Sequence, residues 1–154
     1  MKREIKFRGK RLDNGKWITG SPTFIQDDDG IWLEDEDLDV VKVDPDTLGQ
    51  YTGLKDKDGK EVYEGDIVLH LSNKDAEVEY AFVENTSGID PKHLHYYAVL
   101  WNKTEGGFGY VLLKEIALLL EEIGIRNPDM CGFNPNLGFL VGNIYDNLEL
   151  VKSL

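Results

Sequence analysis

A single cysteine, Cys131, stands in this chain of 154 residues, which excludes an internal disulfide and a cysteine-rich zinc site. Histidine is almost as scarce, with three residues in all. Long apolar runs are missing too. No window approaches the roughly 20 residues that span a bilayer. The opening Met1-Lys-Arg-Glu-Ile-Lys6 lacks the apolar stretch of a signal peptide. Positive charge is the other shortage: 17 Lys and Arg face 29 Asp and Glu, for a net charge of −12. Such a surface repels phosphate backbones, which argues against nucleic acid as a partner. The expectation is a cytoplasmic protein with neither a nucleic-acid nor a membrane partner, and with no cofactor.

Reactive constellations are equally thin. Ser21, Ser72, Ser87 and Ser153 lie in turn, loop or tail contexts, none within a Gly-x-Ser-x-Gly elbow. Cys131, beside Met130 and near Phe133, reads as a small buried hydrophobe, because no cation stands near to activate it. His93 and His95 are two apart, but a zinc site wants three or four ligands at defined spacing. Placing Gly30 or Gly59 at position 6 of a calcium loop puts Ile25 or Leu54 where a carboxylate belongs, so both registers fail. Gly106-Gly-Phe-Gly109 precedes a strand-like stretch rather than a helix, which makes it a turn and not a phosphate loop. No catalytic, cofactor or metal residue is assigned, and the chain reads as a non-enzyme.

What is present is turn chemistry between short β-forming runs. Lys6 and Arg8 alternate with Ile5 and Phe7. Asp13-Asn-Gly15 predicts a type I′ hairpin turn, with residues 16–19 returning antiparallel. Gly20-Ser-Pro22 then separates a further strand at 23–26. Strands follow at 31–33 and 40–43, around an acidic loop with five carboxylates in residues 34–39. Asp44-Pro45 ends this meander. In the central stretch Gly53 ends an extended piece, Asp58-Gly59 and Glu64-Gly-Asp66 form turns, and residues 67–71 form a buried strand. Strands are also predicted at 77–83, 94–101, 108–112 and 139–141. One helix is predicted over 113–123, with a core stripe of Leu112, Ile116, Leu119, Leu120 and Ile123. Leu118 interrupts its charged face between Lys114 and Glu122, which makes this face a candidate interface between copies of the chain.

Gln50-Tyr-Thr-Gly-Leu-Lys-Asp-Lys-Asp-Gly-Lys-Glu-Val-Tyr-Glu-Gly-Asp-Ile-Val68 resembles the signature of the YopX family of phage and prophage proteins. The start, Arg3-Glu-Ile-Lys-Phe-Arg8, and the close, Val141-Gly-Asn-Ile-Tyr-Asp-Asn147, are similar to that family's ends. Leu148-Glu-Leu150 departs from its usual Pro-Glu-Leu, and residues 75–135 carry no motif that aligns. The resemblance implies no assigned activity, a bacterial host cell, and an SH3-like barrel in the C-terminal part.

These readings give a mainly β chain on the border of α+β. Residues 1–48 form an N-terminal meander, and residues 49–154 an SH3-like barrel domain holding the 113–123 helix. Gly15, Gly53, Gly59, Gly65 and Asp66 are structural turn positions. The expected role is binding of a protein, either a host factor or a second copy. The alternative is an acidic nucleic-acid mimic that occupies a host DNA-binding protein, and a metal-dependent enzyme ranks below both.

Overall fold

The computed structural model describes residues 4–71, 94–102, 106–112 and 138–147. These residues are mainly β and lie in two antiparallel sheets, with one short 3₁₀ turn at Pro45–Thr47. The chain divides into two compact units, Met1–Leu54 with Glu61–Glu64, and Lys55–Lys60 with Gly65–Leu154. The helix over 113–123, the strand over 77–83, His93 and Cys131 lie outside the described residues.

In the first unit, β1 (Phe7–Lys10), β2 (Trp17–Thr23), β3 (Ile31–Glu34), β4 (Val40–Val43), β5 (Gly49–Lys55) and β6 (Glu61–Tyr63) form one sheet. Its order is β4-β3-β2-β1-β5-β6. The expected break at Gly20-Ser-Pro22 is absent, and residues 24–26 are not a strand. Instead β2 is one strand that changes partner. Residues 17–20 pair with β1, and residues 21–23 pair with β3. Gly20 makes the exchange possible, because a Cβ there would run into the Glu34 carbonyl oxygen. Leu33, Val43 and Val62 are fully buried here, each side chain worth about 1.5–3 kcal/mol of burial.

The β1–β2 turn also differs from the reading. A type I′ turn needs positive φ at both central residues. Gly15 has φ +70°, but the only described non-glycine residues with positive φ are Asp27 and Leu38. The loop is a longer one, closed where Arg11 N–H donates to Lys16 O at 2.9 Å and Gly15 N–H donates to Arg11 O at 2.9 Å. Just past β1, Arg11 bridges Val43, and Asp44 N–H donates to Lys10 O at 2.8 Å. This is a single bridge rather than a ladder.

The second unit contains β7 (Asp66–Leu71), β8 (Leu94–Asn102), β9 (Gly107–Leu112) and β10 (Gly138–Asn143), in the order β10-β7-β8-β9. Ile67, Val68, Ala98 and Val99 are wholly buried. Among the described residues the sheet is an open ladder of antiparallel pairs, and no closed barrel is found.

Gly53 does not end its strand but sits inside β5 with φ +83°, a kink that glycine takes without steric cost. Gly59, at φ +81°, has open space where a Cβ would lie. Its substitution therefore carries only a backbone penalty. Gly59→Val is expected to lower stability by about 1–2 kcal/mol, read as a fall in the urea midpoint. An unchanged midpoint would contradict a left-handed Gly59.

Candidate functional site

Inside the second unit, residues 56–60 and 65–66 meet the stretch 138–147. Gly65 has φ +86°, and a Cβ there would lie 2.6 Å from Tyr145 Cε2. Its N–H donates to Val99 O at 2.8 Å, and its carbonyl accepts from Ile144 N–H at 2.8 Å. Asp66 follows at 1% exposure as the first residue of β7. The closing stretch folds on its own side chains. Asn143 Oδ1 accepts from the N–H groups of Tyr145 at 3.0 Å and Asp146 at 2.8 Å. Asn147 Oδ1 accepts from Asn143 N–H at 3.0 Å, while a Cβ on Gly142 would collide with that same amide. These are asparagine-capped turns, in which the side-chain amides satisfy backbone donors.

Asp56 is the carboxylate the sequence reading missed. It is 4% exposed, and its Oδ1 accepts from Asp58 N–H at 2.9 Å and Lys60 N–H at 2.8 Å. Its Oδ2 accepts from Leu140 N–H in β10 at 2.9 Å, and the next residue, Lys57, donates its N–H to Gly138 O at 3.0 Å. The turn thus occupies the hydrogen-bonding positions of a neighbouring strand along β10. All three bonds to Asp56 are structural.

One carboxylate in each acidic run of the first unit is spent in the same way. Asp28 accepts from Gly30 N–H at 2.6 Å and Trp32 Nε1–H at 3.2 Å, and pairs with Lys42 at 2.9 Å. The Lys42 ammonium first, then those two donors, hold the Asp28 carboxyl below the usual carboxylate range. Asp35 Oδ1 accepts from Asp37 N–H and Asp39 N–H, both at 3.0 Å, and so closes the β3–β4 loop. Among the described residues no cluster of three or more His, Cys, Asp or Glu is placed to hold a metal ion.

Among the described residues, a group of charged and aromatic side chains runs across β2, β1, β5 and β6 and the residue just before β1. Arg8 lies over the rings of Trp17 and Tyr63, at 4.8 and 4.9 Å, while Lys6 lies 4.8 Å over Tyr51. Lys10 reaches Trp17 at 5.5 Å, and Tyr51 and Tyr63 stand 5.4 Å apart. Glu61 ties the group together, accepting from Lys6 Nζ at 2.6 Å and from the Tyr63 hydroxyl at 3.0 Å. Burial pulls Lys6 down, but the bonds to Glu61 and Glu4 outweigh it and hold the ammonium charged. Burial, then the Glu61 bond, pushes the Tyr63 hydroxyl up. The arrangement clamps four strands together, each cation–ring contact contributing about 0.5–1 kcal/mol.

The exposed apolar side chains are the remaining feature. Phe24 is 96% exposed in the β2–β3 loop, and Ile25 beside it is 40% exposed. Both fall in the stretch 23–26 expected as a strand, of which only Thr23 lies in one. Of the residues expected to matter, Gly15, Gly53, Gly59, Gly65 and Asp66 fall in the described part, divided between the two units. Leu118, Lys114 and Glu122 lie outside the described residues.

A sequence model of the family described as YopX protein matches residues 6–152, nearly the whole chain. The chain is also similar in fold to the crystal structure of protein EF1440 from Enterococcus faecalis. The TM-score is 0.52 and the identity 18%, with 97% of this chain and 99% of that one covered. No curated protein matches the sequence.

Proposed function

We propose that this chain, which belongs to the YopX family, is a non-enzymatic protein-binding module encoded by a phage or prophage and acting in the bacterial cytoplasm. Phe24 carries the reading. An aromatic ring 96% exposed to water is an anchor of the kind that fills a partner's pocket, and it stands beside Ile25 on a loop rather than in a core. The first unit's charged groups support a binding role over a chemical one, because Lys6, Asp28, Asp35 and Glu61 are already committed to internal bonds. The same commitment of Asp28 and Asp35 favours a partner docking on apolar side chains over mimicry of a phosphate backbone. The SH3-like barrel of the second unit and self-association through Leu118, Lys114 and Glu122 belong to this proposal as well.

The test is affinity capture from bacterial lysate with the intact chain and with Phe24→Asp, with native mass measured on both. The variant is expected to lose its captured protein, at least about tenfold in affinity or 1.4 kcal/mol, with an unchanged melting temperature. Equal capture by both chains would remove Phe24 as the anchor. Retention of duplex DNA by the intact chain would replace the protein-binding reading altogether.

A further inference from the structure

The chain contains one Asn-Gly pair, Asn14-Gly15, and both residues are exposed at the tip of the β1–β2 hairpin. In such a pair the glycine nitrogen can attack the preceding side-chain amide, because no side chain on glycine blocks the approach. Gly15 N loses its proton to hydroxide or water and attacks Asn14 Cγ. The new N–Cγ bond forms as the Cγ–Nδ2 bond breaks, and the departing nitrogen takes a proton from water and leaves as ammonia. Water then opens the cyclic imide at either carbonyl and returns an aspartate or an isoaspartate, with no change of oxidation state.

The native turn withholds both reactants. The attacking nitrogen is engaged, since Gly15 N–H donates to Arg11 O at 2.9 Å. The amide under attack is held as well, its Oδ1 accepting from Lys16 N–H at 2.9 Å. Arg11 fastens the loop a third time, through Nε to Asp13 Oδ1 at 2.9 Å and Nη2 to Asp13 Oδ2 at 2.6 Å. Reaction therefore requires the Gly15 N–H bond to open and the Asn14 side chain to turn toward that nitrogen, a local event far less demanding than unfolding the sheet.

We propose that Asn14 is a deamidation site whose rate is set by opening of the β1–β2 turn. The two products differ in consequence. An aspartate at position 14 keeps an oxygen for Lys16 N–H and leaves the hairpin intact. Isoaspartate lengthens the main chain by a methylene inside the loop, so the Arg11–Lys16 closure cannot re-form in register.

The experiment follows the mass gain of amide-to-acid conversion by peptide mapping, during incubation at mildly alkaline pH. Three samples are compared: the full chain folded, the full chain in denaturant, and folded Arg11→Ala. Conversion at Asn14 is expected to be at least about tenfold slower folded than denatured. Arg11→Ala should be about twofold or more faster than the folded chain. Equal rates folded and denatured would overturn the gating, and so would an Arg11→Ala rate equal to the folded one. A denatured chain in which Asn14 reacts no faster than Asn143, whose following residue is the bulky Ile144, would overturn the site itself. Asn14→Asp, with an expected melting temperature equal to that of the parent, separates the harmless product from the damaging one.

Discussion

Gly65→Ala is expected to destabilise the protein by about 3 kcal/mol or more, a combination of two penalties. The first is conformational, since φ at this residue is +86° and an L side chain is disfavoured there. The second is steric, because the added carbon would lie 2.6 Å from Tyr145 Cε2 and 3.2 Å from its hydroxyl oxygen. Backbone relief is closed off, as the Gly65 N–H and C=O are bonded to Val99 and Ile144. Gly59 is the internal control, with φ +81° and open space around it. Gly59→Ala should therefore cost about 1 kcal/mol, the conformational part alone. In a Tyr145→Ala background the cost of Gly65→Ala should fall toward that value. Denaturant melts of the four single and double variants measure this directly. A Gly65→Ala cost equal to that of Gly59→Ala in the parent chain would show that the ring does not pack on Gly65.

Glycine positions were the most legible part of the chain, because left-handed backbone is a local requirement written in one residue. Gly15, Gly59 and Gly65 all have positive φ. What could not be read was anything set by a distant partner. Asn14-Gly15 carries a hairpin signal, yet the loop closes at Arg11 and Lys16, two residues earlier on its N-terminal side than the two-residue turn that the pair favours. Gly20 looked like a strand breaker, when its use is to admit the Glu34 carbonyl so that one strand can serve two neighbours. The alternation of Lys6 and Arg8 with Ile5 and Phe7 is visible as a period of two. Their aromatic partners come from β2, β5 and β6, and nothing local ties them to β1. Family membership was readable, because residues 50–68 and 141–147 combine short strand segments with turn residues of distinct backbone demands. Phe24 was not, since a β-former beside Thr23 and Ile25 looks like strand until its surroundings are known.

Asp56 is the residue whose loss should reveal most about the second unit. Asp56→Ala leaves three backbone N–H groups without their carboxylate, those of Asp58, Lys60 and Leu140. Bonds to a charged acceptor are worth about 1.5–3 kcal/mol each, and partial rehydration of the turn returns some of that. The expected net loss is about 3–5 kcal/mol. Asp56→Asn divides the effect. The amide keeps one oxygen, which will face the two turn donors because Oδ1 serves both. Its NH₂ then meets Leu140 N–H, donor against donor, so the contact with β10 is lost while the turn survives. Hydrogen exchange reads the two parts separately. The Leu140 amide should lose protection in Asp56→Asn while the Asp58 and Lys60 amides keep most of theirs. An edge strand stripped of such a contact exposes backbone to other chains. The same variant should accordingly show more concentration-dependent association than the parent. Unchanged protection at Leu140 would mean that the carboxylate does not guard β10, and the turn alone would then explain why Asp56 is buried.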